Sequence, residues 1–225
     1  MAKTRTAAHW TSKSTKAIAH VDDGLKVVDS LMSYVKAGQG KPSTKERALF
    51  AASVVFTYGI WENYVEQLAL ELAGHVATII RPENVPEEVK KVLEKKTAWE
   101  LAISPGWKEL WLAYVREKAI GDDSDKFGMN TARAGQVKHL LSLAGVKNAF
   151  DGVEDGIAPP HLDSKKRNAI DAVEALVTLR GEIVHTGKVP DELSKGRVIE
   201  WRGFIEQLTK KIDASCRTQC QAILS

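Results

Sequence analysis

Arg180 and His185 stand with four residues between them in the run Leu179-Arg180-Gly181-Glu182-Ile183-Val184-His185. A guanidinium is always charged and meets phosphate oxygens as a two-pronged fork. An imidazole titrates near neutrality and serves as general base or general acid. One side chain of this pair can bind and stabilise anionic oxygens while the other moves protons. Two carboxylates are candidates to orient them: Glu182, three residues before His185 on one helical face, and Glu62, far back in the chain. Each residue also has a plainer reading. Arg180 could form a salt bridge with Glu62 or Glu182 inside a bundle. His185 could be a cation placed favourably at a helix C-terminus. Glu62 could be one polar group on an otherwise buried helix.

Position along a helix limits what the pair can do. At 100° per residue, five steps put Arg180 and His185 about 140° apart. One straight helix therefore converges them badly. Two symmetry-related copies could place two arginines and two histidines around one cleft. The helix that carries them is predicted to start at Asp163-Ser164, with Ala169, Val173, Leu176 or Val177, and Arg180 on its inner stripe. It should end near His185, because Thr186-Gly187 followed by Pro190 is a termination signal.

The remaining elements follow from hydrophobic spacing. Val21, Leu25, Val28, Leu31 and Val35 predict a first helix from about Ile18 to Lys36. Ser43-Thr44 then offers an N-cap to a long second helix, with Glu46 and Arg47 in its first turn. Phe50, Val54, Thr57, Trp61, Val65, Leu68, Leu72, Val76 and Ile79 mark its stripe, and it is apolar around much of its circumference, so it belongs at the centre of a bundle. Arg81-Pro82 stops it. From Pro86 to about Ile120 the pattern breaks into shorter pieces, with Trp99, Leu101, Trp107, Leu110 and Trp111 among a cluster of large groups around Ser104-Pro105-Gly106. Core packing is the expected use of Trp99, Trp107 and Trp111, with stacking on unpaired bases the alternative. Gly121 to Lys126 reads as a polar loop, and Arg133 to Leu143 as another helix. The final helix, about Asp191 to Ile223, carries Trp201, Ile205, Leu208, Ile212, Cys216, Cys220 and Ile223 as a stripe. No alternating β pattern of any length occurs. The fold class is all-α: an antiparallel helical bundle with short helices inserted between the second helix and the motif helix. Residues 1–17 read as a flexible N-terminal arm and 18–225 as a single helical domain.

Composition excludes several classes. At 225 residues, 44% hydrophobic and 27% charged, the chain suits one globular domain. Its net charge of +3 means that any anion-binding surface must be local. No run approaches the roughly 18 apolar residues needed to span a bilayer, and no secretory signal follows the basic N-terminus. Cys216 and Cys220, four apart on a helical stripe, are badly placed for a disulfide and read as packed or interfacial residues. The expected setting is the reduced cytoplasm. His9, His20, His75, His139 and His161 lack metal-ligand spacing, so neither metal nor cofactor is expected.

The stretch Val177 to Gly187 is similar to the Leu-Arg-Asn-x-Ile-Val-His-Gly run of HEPN domains. Phe56-Thr57-Tyr58-Gly59-Ile60-Trp61-Glu62-Asn63-Tyr64-Val65-Glu66 resembles the acidic-aromatic second helix of the RiboL-PSP and MAE-type HEPN branch. Gly128 to Asn130 through Leu140 to Val146 resembles its connecting segment, and the likeness spans roughly residues 20 to 215. The resemblance implies an endoribonuclease needing no metal, in which Arg180 binds the phosphate, His185 transfers protons and Glu62 or Glu182 orients one of them. It implies an RNA substrate, a homodimer with a composite active site, and a toxin or abortive-infection role in defence, restrained by an antitoxin or sensor protein. A catalytically weak HEPN module that binds RNA or a protein partner is the alternative. Lys165, Lys166, Arg167 and Lys188 flank the motif helix and are the candidates for tracking an RNA backbone, a solvated surface being the simpler reading. This chain departs from the pattern at Gly181, where HEPN motifs carry Asn, Asp or His. Loss of that polar group puts catalytic strength in doubt, and glycine weakens the helix by roughly 1 kcal/mol.

Overall fold

The computed structural model describes residues 14–36, 40–103, 106–121, 128–153 and 156–224. Its helices are α1 (Lys16–Ser33), α2 (Thr44–Ile79), α3 (Glu87–Glu94), α4 (Ala98–Ile103), α5 (Trp107–Ile120), α6 (Ala134–Ser142), α7 (Ala169–Thr186) and α8 (Lys195–Leu224). No strand occurs among the described residues. The expected all-α bundle is what forms, with α3 to α6 inserted between the second helix and the motif helix. Most of the arm, the Ser104-Pro105 break and nearly all of the Gly121 to Lys126 loop lie outside the described residues, as does Trp10.

Local chemistry sets the ends of α2. Ser43 and Glu46 form a reciprocal capping box: the Ser43 hydroxyl accepts from the Glu46 N–H, and the Glu46 carboxylate accepts from the Ser43 N–H. At the other end the chain turns extended at Ile80 and Arg81, and Pro82 opens a short 3-10 turn. Between these ends α2 buries fifteen residues, so it is the central helix, as its all-round apolarity implied. Its aromatic groups are tied as they are buried. Trp61 Nε1 donates to the Ala132 carbonyl at 2.9 Å, and the Tyr64 hydroxyl donates to the Thr209 carbonyl at 2.9 Å.

Five helices, α1, α5, α6, α7 and α8, pack against α2. α1 runs antiparallel to it, with the Lys16 N–H on Glu71 and Gly24 against Ile60. A Cβ on Gly24 would come within 2.8 Å of the Ile60 side chain, so glycine here sets the distance between the two helices. α7 also runs antiparallel to α2, because Arg47 reaches Asp191 just beyond α7 while Tyr58 meets Arg180. α8 is antiparallel to α1 and parallel to α2. Residues 14–17, assigned to a loose arm from sequence, are held instead: Thr15 bonds to the buried Asp213, and the Lys16 and Ala17 N–H groups bond to Glu71.

Three expectations need correction, and one open choice is settled. α7 starts at Ala169, not at Asp163-Ser164, because Asn168 is extended and its side chain accepts the Asp171 N–H at 2.8 Å. α8 starts at Lys195 rather than Asp191, since Pro190 opens a turn closed by the Leu193 N–H. Trp99 is 73% exposed and belongs to no core cluster, whereas Trp111 is fully buried with Trp107 stacked on it. The α8 stripe is spent within the chain: Trp201, Ile205, Leu208, Ile212, Cys216 and Cys220 are all buried. The cysteines are therefore packed, not interfacial, and that stripe offers nothing to a second copy. Among the described residues no helix is long and apolar enough to cross a membrane.

Candidate functional site

The motif helix presents Arg180 toward α2 and His185 to solvent. α7 persists through Thr186, and Gly187 closes it in the left-handed conformation (φ 66°), with its N–H on the Ile183 carbonyl. His185 thus occupies the last turn as an exposed side chain. Arg180, less than two turns earlier, lies with its guanidinium 5.1 Å from the centre of the Tyr58 ring. That placement is a cation–π contact, favourable by about 0.5–2 kcal/mol depending on desolvation.

Tyr58 is itself fixed. Its hydroxyl donates to Glu62 Oε1 at 2.8 Å and accepts the Ala132 N–H at 2.9 Å. Two bonds fix the position of the oxygen, and close packing around a side chain 1% exposed holds the ring, so it is a fixed platform for the arginine. Burial raises the Tyr58 pKa further above the physiological range, so the hydroxyl stays a donor. Burial likewise raises the Glu62 carboxyl above its ordinary value, opposed by the Tyr58 hydrogen bond and the Arg180 charge. Glu66, one turn along α2, is pushed up to about 7, chiefly by burial and then by the charge of Glu62.

The salt-bridge reading of Arg180 is not what forms. Among the described residues Arg180 makes no ion pair with Glu62 or Glu182, and its Nε is buried without a hydrogen-bond partner. Glu62 gives its oxygen to Tyr58 instead. The guanidinium therefore lies on a ring face, within electrostatic reach of the Glu62 carboxylate but not ion-paired to it.

Of the residues expected at the site, Arg180 and Glu62 share one neighbourhood. His185 is close in sequence, yet its side chain is exposed while Arg180 lies against Tyr58, in keeping with the 140° between them. Glu182 is exposed, and no bond joins its carboxylate to His185. What lies over the His185 ring is Gly181: a Cβ built there would find His185 Cδ2 at 4.0 Å as its nearest neighbour. The position where the motif usually carries a polar side chain therefore faces the imidazole and has room for one.

The four flanking cations separate. Lys188 follows the α7 C-terminus and is exposed beside His185 in sequence. Lys165, Lys166 and Arg167 are exposed too, but they precede the other end of α7, an 18-residue helix roughly 27 Å long. They do not share a site with His185 in one chain. Sequence reasoning missed Tyr58, the Ala132 N–H and Glu66. Tyr58 stands four residues before Glu62, a spacing that signals contact on a helix face. Nothing in the sequence points to the Ala132 N–H, which arrives from the segment before α6. No group of three or more His, Cys, Asp or Glu side chains converges among the described residues.

A family model described as RiboL-PSP-HEPN matches residues 22–217. No curated protein and no solved structure matches the chain.

Proposed function

Since the chain belongs to the RiboL-PSP-HEPN family, of nuclease-like or RNA-related function at the superfamily level, we propose that it is an endoribonuclease that cuts RNA without a metal. In this reading the ribose 2′-oxygen forms a bond to the adjacent phosphorus while the bond from phosphorus to the 5′-oxygen breaks. His185 takes the 2′-hydroxyl proton or supplies the proton to the leaving oxygen. Arg180 carries the extra charge on the phosphorane oxygens. The products are a 2′,3′-cyclic phosphate and a 5′-hydroxyl. The observation that supports the reading is the Arg180 guanidinium, placed on the Tyr58 ring beside Glu62 and not ion-paired to it.

A second copy completes this site. Arg180 faces α2 and His185 faces solvent, so convergence on one phosphate requires a homodimer with a composite cleft. One side of α2 supports such pairing: Ala48, Ala52, Phe56, Gly59 and Asn63 form an exposed stripe without a charge, and Val184 of α7 is 48% exposed. The role that fits is a cytoplasmic toxin or abortive-infection effector restrained by an antitoxin or sensor protein.

Incubation with total RNA in EDTA tests the chemistry. Cleavage should persist under chelation, end in cyclic phosphates, and fall at least a hundredfold in Arg180→Ala and in His185→Ala. Unchanged cutting by both variants ends the assignment. Gly181 favours one other reading, a catalytically weak module that binds RNA or a protein partner. Tight binding of uncut RNA in the same assay selects that alternative.

A further inference from the structure

Tyr58, Glu62 and Arg180 are arranged as charge alone would not arrange them. A guanidinium beside a half-buried carboxylate ordinarily closes on it, because the forked, charge-assisted pair is stronger than a contact with a neutral group. Here the two stay open. The Arg180 charge acts on Glu62, yet the carboxylate bonds to a neutral hydroxyl and the guanidinium lies on a ring.

One side chain makes both of those contacts. The Tyr58 hydroxyl donates to Glu62 Oε1 at 2.8 Å, and the Tyr58 ring centre lies 5.1 Å from the Arg180 guanidinium carbon. Tyr58 and Glu62 stand four apart on α2, so the helix sets their spacing. The Ala132 N–H holds the same hydroxyl oxygen from a third direction, at 2.9 Å. Removing the hydroxyl would leave Glu62 half-buried without this donor, which is costly for a carboxylate, and Arg180 is a cation within its reach.

We infer that Tyr58 is a positioning residue that keeps Arg180 and Glu62 apart, its hydroxyl engaging the carboxylate while its ring holds the guanidinium, so that Arg180 meets a substrate phosphate unpaired. The inference rests on the ribonuclease reading for what Arg180 does once it is held. An arginine turned onto Glu62 would be partly neutralised before substrate arrives, and would stabilise the phosphorane oxygens less.

The test compares Tyr58→Phe in two backgrounds, Glu62 and Glu62→Gln, the second having no charge to capture the arginine. Cleavage of total RNA in EDTA should fall at least about tenfold on Tyr58→Phe in the first background and by less than roughly threefold in the second. Loss of the Ala132 hydrogen bond is common to both, so a merely structural hydroxyl lowers both alike. A second readout needs no activity. In protein carrying isotope-labelled arginine, the Arg180 side-chain proton signals, identified by their absence in Arg180→Lys, should lie upfield under the ring current of Tyr58. They should lose that shift in Tyr58→Phe and keep it in Tyr58→Phe with Glu62→Gln. Equal losses of cutting in the two backgrounds, no loss in either, or Arg180 signals that Tyr58→Phe leaves in place overturns the inference. If none of these proteins cuts RNA, the ribonuclease reading fails, and the arginine signals still decide whether Tyr58 holds the two charges apart.

Discussion

Glu66 has the least favourable environment of the carboxylates near the motif, and its surroundings explain why. The side chain is half-buried on α2, one turn from Glu62, and no cation is paired with it among the described residues. Burial first and the Glu62 charge second raise its carboxyl from an ordinary 4.5 to about 7. A raised value in the folded state means the fold prefers the proton. The stability this carboxyl contributes is therefore fully present below pH 4.5 and lost as pH rises through 7. Glu66→Gln, which keeps the shape without the charge, should stabilise the protein above pH 7 by about 1 kcal/mol, after discounting for solvent at the exposed side. The gain should vanish near pH 4.5. Thermal midpoints of both proteins at pH 4.5 and 8 check this, and a gain independent of pH would refute the origin assigned to it. Tyr58 is the contrasting case: its hydroxyl is satisfied twice, by Glu62 and Ala132, and it converts that rigidity into placement of Arg180.

The motif helix carries a local cost at Gly181, thirteenth of its eighteen residues. Mid-helix glycine costs roughly 1 kcal/mol relative to alanine, and outside its chain neighbours and the helix's own backbone nothing stands closer than His185 Cδ2, at 4.0 Å, to an added Cβ. Gly181→Ala should therefore raise the thermal midpoint by about 2–4 °C, read by circular dichroism. A drop would mean that the helix needs the bare backbone, for a close approach in an assembly. Helix ends show where sequence suffices. The Ser43–Glu46 capping box and Gly187 are local codes read within four residues, so the start of α2 and the end of α7 were legible. The start of α7 was misread because Asp163 also caps, taking the Lys165 N–H, but only for a short 3-10 turn before Asn168 caps the true helix. The site divided the same way. Arg180, His185 and Glu62 are side-chain types that announce themselves. The Ala132 N–H that fixes Tyr58 is a backbone group 74 residues away, and only the packed bundle brings it there. Trp99 was assigned to the core by its size, although a six-residue helix has too little length to bury both its faces.

At the scale of the molecule, each chain holds an arginine on one side of α7 and an imidazole on another, and the proposed function needs a second copy to bring them together. Burial of the α8 stripe removes one surface that could have paired two copies, leaving the uncharged stripe of α2 and the neighbouring end of α7 for the task. A cleft shared by two copies makes a result that no single-chain site allows. Arg180→Ala and His185→Ala proteins, each inactive alone, should recover cleavage when mixed and allowed to exchange subunits, because a mixed dimer retains one arginine and one histidine around the same cleft. Random exchange puts half the dimers in that form, so the recovered rate is bounded at about half the wild-type rate, and sedimentation should report two chains per particle. Exchange confirmed by differently sized tags, yet without recovered cutting, would show that Arg180 and His185 act within one chain or not together at all. The angle between them on α7 would then have to be closed by a bend of its last turn, beyond Arg180 and before Gly187.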